Sequence, residues 1–528
     1  MAGTYLSEIG SGWWKYLIGR IPSVASLMLP PFQTSRGGAP MAHGLSKSRL
    51  QAFRQCPRRL WLSVHRPDLQ QVSEQTGQRF QIGFQVGDVA RGLYPDGVLI
   101  DTPDAGAALA LTRRALAEQP DRPLFEAAFQ RDGVLVRADL LLPESGGYRL
   151  REVKASTWIK DEHREDCAIQ VWVIGAVLPL TGVELAHVDT AFVYPGGSDY
   201  RGLLKPNLLD AEVADLLPAV PQWVAEARAT LTGTEPAITP GSQCHSPYDC
   251  PFQSHCGADQ PPQPDYPLDC LPRLSGRRLQ GLLDRGIADV RQIPADYPLT
   301  RKQVRVARVI QSGAAERDPA VAALLNGLGY PRRYLDFESM QVAVPLWVGT
   351  QPYQQLVVQW SRHVETAPGH LAHCAFLAEG EDDPRRAFAE ALVEAVGDVG
   401  PVFVYNRSFE VGRLQELQRE YPDLAPALAA LIARVVDLKP LTERYYCHPA
   451  MKGRWSLKAV LPTIAPELDY SALAIGDGGA ASGAWRELYH SDTSAERRAE
   501  LRAALAEYCC RDTLALVRLA VFLAETQP

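Results

Sequence analysis

The sequence predicts an α/β protein of two mixed domains joined by a basic helical connector. Three observations predict it. Strand-like runs with acids set among apolar residues occur in both halves, at residues 134–156 and 333–339. Segments with apolar residues at helical spacing follow each of them. Between the halves, residues 271–312 read as helical and arginine-rich. A length of 528 residues suits two or three such domains.

Composition narrows the class. Hydrophobic residues make up 46% and charged residues 22%, the balance of a globular chain. A formal net charge of −7 excludes a wholly basic nucleic-acid binder, so local charge has to carry any such contact. No run reaches the roughly 18 apolar residues of a membrane span. Ten cysteines in so long a chain do not form a secreted disulfide framework, and a reducing, cytoplasmic setting is expected. Residues 1–42 read as a disordered or non-native tail. Glu8 and the lack of an apolar core argue against a signal peptide, and Met41, where the patterned sequence begins, is a candidate natural start.

In residues 45–66, Ser46 caps a helix whose apolar face includes Leu50 and Phe53. Lys47, Arg49, Arg54, Arg58, Arg59 and Arg66 occur here with no acid. Such a segment suits a phosphate backbone, and equally a solvated helix face. Cys56 precedes Pro57. A helix is expected after Gly83 within residues 80–94, and another at 109–118. Residues 124–129 read as a strand carrying Glu126, a candidate additional metal ligand.

Residues 134–156 are VLVRADLLLPESGGYRLREVKAS. Two strand-like runs flank Glu144-Ser145-Gly146-Gly147, whose glycines permit the positive φ of a tight turn. Glu152 and Lys154 share one face of the second run, with Val153 opposite, and a hairpin brings Asp139 beside them. Two carboxylates and an ammonium on an apolar hairpin are costly unless paired or metal-bound. Hard oxygen ligands suit Mg²⁺ or Mn²⁺, and a neighbouring lysine positions or deprotonates a water. An exposed hairpin with a Glu–Lys pair fits the same residues.

An apolar helix at 168–177 contains Gln170, a strand is expected at 188–194, and one or two helices at 208–231. CHSPYDCPFQSHC then places Cys244, Cys250 and Cys256 five residues apart. Thiolates gathered this way in a reducing compartment mean metal. The fourth ligand is Cys56, or, for zinc, His245 or His255. A Pro-rich linker is expected at 260–267 before the basic connector.

In the second half, RYLDFES puts Asp336 and Glu338 on one strand face and Leu335 and Phe337 on the other. Two acids on one face of a buried strand invite metal; an edge strand facing water is the alternative. Strands are expected at 356–363 and 373–377, and a helix at 384–396. A strand at 401–405 ends at Asn406, and the next helix, capped by Ser408, carries Glu410 in its first turn. Asp437 closes a strand at 434–438. On the final helix, 499–525, Leu501, Leu505, Tyr508, Asp512, Leu516 and Leu519 form one stripe, so Asp512 is an acid on an apolar face that needs a metal or a cation. Lys452, Arg454 and Lys458 suit phosphate contact or plain solvation. Residues 476–483 read as a flexible loop.

The D-x12-E-x-K arrangement resembles the PD-(D/E)xK nucleases. One cysteine before this core and three after it, with the CPRRLW and CPF phrases, resemble the iron–sulfur staple of the CRISPR-associated RecB-like exonucleases and of AddB. The resemblance implies a restriction-endonuclease-like domain over residues 43–260. Asp139, Glu152 and the Val153 carbonyl would hold Mg²⁺ or Mn²⁺, with Glu126 as an extra ligand and Lys154 assisting the attacking water. A [4Fe–4S] cluster on Cys56, Cys244, Cys250 and Cys256 would close the long loop between them. Gln170 stands where a glutamine of that branch touches nucleic acid, with Ile174 in place of its usual tyrosine; Arg58 and Arg59 would meet phosphates.

D-x-E, then N-x-x-F-E, then Y-x3-D resembles the DEDDy branch of the RNase H-like, DnaQ-type exonucleases, over residues 331–528. It implies two metal ions about 3.5–4 Å apart, held by Asp336, Glu338, Glu410 and Asp512, with Tyr508 orienting the water. Glu410 stands where that family has aspartate. Together the two resemblances imply a metal-dependent nuclease with two sites, acting on nucleic acid, DNA ahead of RNA. No helicase motif is visible, so unwinding would need a helicase or repair partner, and no membrane is involved. Two other readings stay open: a binding or scaffold protein with a decayed second site, and a zinc-stabilised DNA-binding protein.

Overall fold

The computed structural model describes residues 44–71, 74–258, 262–380, 382–489 and 493–526. The expected tail at 1–42 and part of the expected linker at 260–267 lie outside them. The chain folds as mixed α/β, with one large sheet in each half.

The first half opens with β1 (Leu45–Ser46), α1 (Lys47–Gln55), α2 (Pro57–His65), α3 (Glu74–Gly92), β2 (Val98–Leu99) and α4 (Ala105–Glu118). The Ser46 side chain accepts from the Arg49 N–H, as expected of a cap, and α1 buries Leu50, Ala52 and Phe53. Next come β3 (Leu124–Arg131), β4 (Val134–Glu144), β5 (Gly147–Lys154), α5 (Asp161–Ile174), β6 (Leu180–Val188) and β7 (Leu204–Leu208). The sheet runs β2-β3-β4-β5-β6-β7, with β1 added in parallel on β4. The β4–β5 hairpin sits at its centre. Glu144 pairs with Gly147, and Gly146 takes the φ of +93° that the two-residue turn requires. Val134, Val136, Ala138 and Leu141 of β4 pack with Leu150 and Leu185, and α5 adds Cys167, Ile169 and Val173. α6 (Asp210–Leu216), α7 (Val220–Thr232) and α8 (Gln253–Gly257) close this half.

Two expectations shift here. α5 begins at Asp161, seven residues before the apolar stretch, because Asp161 and Glu162 suit the positive end of a helix. The strand expected at 188–194 lies earlier, at 180–188. Its Val183, Leu185 and Ala186 bury themselves beside β5, whereas the residues after Val188 turn away.

The basic connector is built of α9 (Gly276–Leu283), α10 (Arg301–Ser312), β8 (Glu316–Arg317) and α11 (Ala320–Asn326) with loops between. It is not a free spacer. Leu271, Leu282, Val290, Val306 and Ile310 share one core with Tyr334, Phe403, Leu438 and Leu516 of the second half.

The second sheet uses β9 (Arg332–Met340), β10 (Leu356–Ala367), β11 (His370–Leu377), β12 (Val402–Val404) and β13 (Val435–Asp437), in the order β11-β10-β9-β12-β13. β9 is antiparallel to β10 and parallel to β12, so it is an interior strand and not an edge. Leu335 and Phe337 face a core with Phe388, Leu392 and Leu414, supplied by α12 (Arg385–Val396) and α13 (Arg407–Glu420). After α14 (Ala425–Ala433) come α15 (Leu438–Tyr445), β14 (Tyr446–Cys447), α16 (Leu457–Val460), α17 (Gly478–Leu488) and α18 (Ala495–Ala524). α18 crosses the opposite sheet face: Gln359 donates to the Leu505 carbonyl at 2.9 Å, and the Ser361 and Thr513 hydroxyls lie 2.8 Å apart.

Two local readings are corrected. α13 is entered through Asn406, in the left-handed region at φ +86°, and the Ser408 hydroxyl donates to the Asn406 side chain instead of capping. Residues 478–483, expected as loop, begin α17. Asp477 accepts from the Ala480 N–H, and Ala481, Ala484, Trp485 and Leu488 bury one face. A cap and an apolar stripe outweigh the glycines there.

The segment between β9 and β10 leaves its own sheet and docks on the first half. Gly349 donates to the Tyr194 carbonyl at 2.9 Å, Tyr194 donates to Thr350 at 3.0 Å, and the Tyr353 hydroxyl donates to the Ala155 carbonyl. Ala343 joins Val86, Val188 and Leu203 in a shared apolar cluster.

Candidate functional site

The first cluster is assembled by strand register. Leu140 pairs with Arg151, which puts Asp139 across from Glu152, and the Val153 N–H donates to Asp139 Oδ2 at 2.7 Å. On the other side, Phe125 pairs with Leu140 and Ala127 with Ala138, so Glu126 flanks Asp139. Glu126 adopts φ +56° and lies 3.9 Å from Arg91. Glu152 is 1% exposed. Lys154 Nζ donates to Glu152 at 2.5 Å and to Asp166 of α5 at 2.6 Å. Lys47, from the first turn of α1, donates to both Glu152 oxygens at 3.1 and 3.3 Å and lies 3.3 Å from Asp166. Two ammonium groups therefore offset two buried carboxylates.

The electrostatics follow from this packing. Burial pushes the Asp139 carboxyl up against the pull of Lys47 and Lys154. Burial and Asp139 push Glu152 up as well, but Lys154 and Lys47 outweigh them and hold it below the usual carboxylate range. Burial opposes the charge on Lys154, yet Asp166, Glu152 and Asp139 keep it firmly protonated. In this state Lys154 is a cation that orients and does not accept a proton.

The three residues expected to contact nucleic acid all have protein partners. Gln170 is fully buried; its amide donates to Glu152 at 2.6 Å and to Asp166 at 3.3 Å. Arg58 pairs with Glu235 at 2.7 Å, and Arg59 is taken up by Gln55. The basic segment finds distant acids in space, since Arg54 also pairs with Glu165, while Arg66 pairs with Asp68 two residues on.

Cys56 lies between α1 and α2, and the loop carrying Cys244, Cys250 and Cys256 folds against it. Gln55 donates to the Gln243 and Tyr248 carbonyls at 2.7 and 2.6 Å, and the Cys250 N–H donates to the Cys244 carbonyl at 2.8 Å. Burial pushes the Cys250 and Cys256 thiols up; the Phe252 N–H and Arg59 oppose this at Cys250, and Arg58 opposes it at Cys256, while Cys244 and Cys56 add to the rise at both. Among the described residues no three of these sulfurs lie within 4.8 Å of one another. A tetrahedral zinc site would bring them to about 3.8 Å, from Zn–S bonds of about 2.3 Å. His245 and His255, the other candidates for zinc, are engaged by Asp249 and Glu235 at 3.2 and 3.4 Å.

The second cluster is acidic. Asp336 and Glu338 of β9 and Asp512 of α18 bring ligand oxygens within 4.8 Å of one another. Burial and mutual repulsion push the Asp336 and Glu338 carboxyls up, and burial does the same to Asp512. Tyr470 donates to Asp512 Oδ1, and Tyr508 packs edge-on against Tyr470, with ring centroids 6.2 Å apart. The Lys458 ammonium lies 5.3 Å from the Tyr470 ring and 5.5 Å from the Tyr508 ring. Glu410 is not among the oxygens grouped within 4.8 Å, but its charge also pushes the Asp336 carboxyl up. It is 2% exposed, its Oε2 has no hydrogen-bond partner, and burial with the Asp437 charge pushes its carboxyl up to about 8. Asp437 itself accepts from the Asn406, Arg407 and Lys439 N–H groups.

Sequence reasoning missed Asp166, Tyr470 and the place of Lys47 in the first cluster. Asp166 had a signal: it precedes Gln170 by four residues, on the same helix face. Tyr470 had none, since only folding brings it to Asp512.

The family described as a domain of unknown function, DUF2779, matches residues 333–456. No curated protein matches the chain. Among solved structures, the family B DNA polymerase from the hyperthermophilic archaeon Pyrobaculum calidifontis is 18% identical over 37% of this chain, with a TM-score of 0.26. The match spans a quarter (25%) of the polymerase. The crystal structure of SSO0001 is 14% identical over 42% of this chain and 89% of its own, with a TM-score of 0.23. Among the described residues no helix is long and apolar enough to cross a membrane.

Proposed function

We propose that this protein is a divalent-metal-dependent nuclease with two sites that hydrolyse phosphodiester bonds, acting on DNA ahead of RNA. The observation that carries the reading is the convergence of Asp336, Glu338 and Asp512 within 4.8 Å. Among the described residues none of the three has an ion-pair partner within 4.0 Å, and so much like charge needs a cation. Hard oxygen donors fit Mg²⁺ or Mn²⁺. Bound there, the metal would polarise the phosphate and activate water. Tyr470 holds Asp512 in place, and Lys458 and Tyr508 line the approach. In the first site Asp139 and Glu152 would hold the ion, and Lys154, fixed by Asp166, would orient the water. The four cysteines would hold a [4Fe–4S] cluster that ties α1 to the loop after α7 and takes no part in hydrolysis.

The test is Mn²⁺-dependent digestion of end-labelled single- and double-stranded DNA and RNA by anaerobically purified protein, with Lys154→Ala and Asp336→Ala alongside. Loss of a separate activity in each variant supports two nuclease sites. Loss of all cleavage in Lys154→Ala alone makes the second site accessory. No cleavage by the unaltered protein with any metal sinks the catalytic reading.

A further inference from the structure

We propose that Lys47 and Asp166 are working parts of the first site: Asp166 positions Lys154, and Lys47 is an exchangeable counter-ion that leaves Glu152 for a substrate phosphate when a divalent cation binds. This rests on the nuclease reading of that site.

Geometry makes the first point. Glu152 has no free oxygen for a metal in the present arrangement. Its Oε1 accepts from Lys47 and Lys154, and its Oε2 accepts from Lys47 and Gln170. One donor has to yield. Lys154 and Gln170 are each also bonded to Asp166, at 2.6 and 3.3 Å, and Gln170 is fully buried. Lys47 enters from another helix, and its contacts to Glu152, at 3.1 and 3.3 Å, are longer than those of Lys154 and Gln170, at 2.5 and 2.6 Å; it also lies 3.3 Å from Asp166. Lys47 is the donor that moves at least cost.

Charge makes the second. Asp139, Glu152 and Asp166 face Lys47 and Lys154, three negative charges against two positive. Glu126, at the edge of the cluster, shares Arg91 with Asp88 and is left out of this count. A divalent ion turns a net charge of minus one into plus one, which matches the single negative charge of a phosphodiester.

Two further observations point to a second arrangement of the cluster. Gln170 Oε1 is buried with no hydrogen-bond partner, an acceptor that the present pairing leaves unused. Beside the cluster lies a cleft of about 1470 Å³, lined by Ser48 next to Lys47, by Lys154, Arg59 and Arg79, by Arg54 and Lys160, which pair with Glu165 and Glu162 of the same wall, and by Tyr353 from the second half. The cleft exceeds the roughly 300–1,000 Å³ of a small-molecule pocket. Its cations sit where a phosphate backbone would enter, and a released Lys47 would meet that backbone at the inner end.

The experiment uses full-length, anaerobically purified protein carrying Asp336→Asn to silence the second site. Mn²⁺ binding is measured by calorimetry, and kcat and KM are measured on a labelled oligonucleotide. Lys47→Gln should bind Mn²⁺ about tenfold more tightly, because the competing ammonium is gone, and raise KM about tenfold, the effect of one charge-assisted contact. Lys47→Arg, which keeps the charge, should restore most of the KM. Asp166→Asn should lower kcat at least tenfold with Mn²⁺ affinity within about threefold of the parent. A Lys47→Gln protein that melts lower but matches its parent in Mn²⁺ affinity and KM overturns the inference and leaves the nuclease reading intact. A parent protein that neither binds Mn²⁺ nor cleaves removes both.

Discussion

The Tyr470 hydroxyl donates to Asp512 Oδ1 at 2.5 Å, across 42 residues of chain that include all of α17. A buried carboxylate held this way presents a fixed oxygen to a cation. Tyr470→Phe keeps the ring in its apolar cluster and removes only the donor. Mn²⁺ affinity of the second site should fall about tenfold, the usual cost of losing a partner behind a metal ligand. Calorimetry in a Lys154→Ala background reads it; unchanged affinity would show that Asp512 needs no such support.

Like charge crowded at Asp336, Glu338 and Asp512 works against folding in the metal-free protein. Asp336→Asn should raise metal-free stability by roughly 1 kcal/mol, the scale of a like-charge contact at this separation. The same change should abolish the rise in melting temperature that Mn²⁺ gives the second half. Thermal denaturation with and without Mn²⁺ checks both outcomes, and a lower metal-free Tm would contradict the repulsion argument.

Cys56, Cys244, Cys250 and Cys256 act on one another electrostatically where α1 meets the loop after α7, and the proposed reading gives them one cluster to hold. Anaerobically purified protein should show visible iron–sulfur absorbance. Cys56→Ser and Cys250→Ser should each lose it and lower the melting temperature of the first half. Cys374→Ser, on β11 of the second sheet, should keep the absorbance. Stoichiometric zinc with no colour in the unaltered protein would replace the cluster with a zinc site.

His363 provides a pH dependence. Burial first, and then His373 and Arg362, pull its imidazole down to about 4 from the usual 6.5, so it is neutral when folded. Its Nδ1 lies 2.8 Å from the Thr513 hydroxyl. The unfolded chain takes up a proton below about pH 6.5 that the folded one refuses until about pH 4, so stability falls as pH falls through that window. At pH 5 the loss should be roughly 1 kcal/mol relative to pH 7, after allowance for solvent screening. Urea denaturation of the unaltered protein and His363→Gln at both pH values tests this; the variant should lose most of the difference.

Much of the fold was legible because its signals are local. Alternation in 134–154 with a Gly-Gly turn specifies a hairpin, and the hairpin alone places Asp139 by Glu152. The stripe from Leu501 to Leu519 specifies a helix with Asp512 inward. The failures were also local readings: glycines at 478–483 suggested a loop, and Ser408 looked like a cap. The basic run from Lys47 to Arg66 looked like a phosphate-binding face because the acids that neutralise it, Asp166, Glu165 and Glu235, are more than 100 residues away in sequence.

What the sequence by itself determined was the α/β class, the strand faces that carry the acids, and the grouping of the three loop cysteines. Periodicity and turn chemistry act over a few residues, and a chain read alone contains them. The tertiary structure decided which charges meet. It set Lys47 and Asp166 around Glu152, turned Gln170 inward, left Glu410 beside the acidic triad and not in it, and brought Tyr470 to Asp512. Those contacts depend on how helices pack across sheets, and a shift of one turn or one register would exchange every partner.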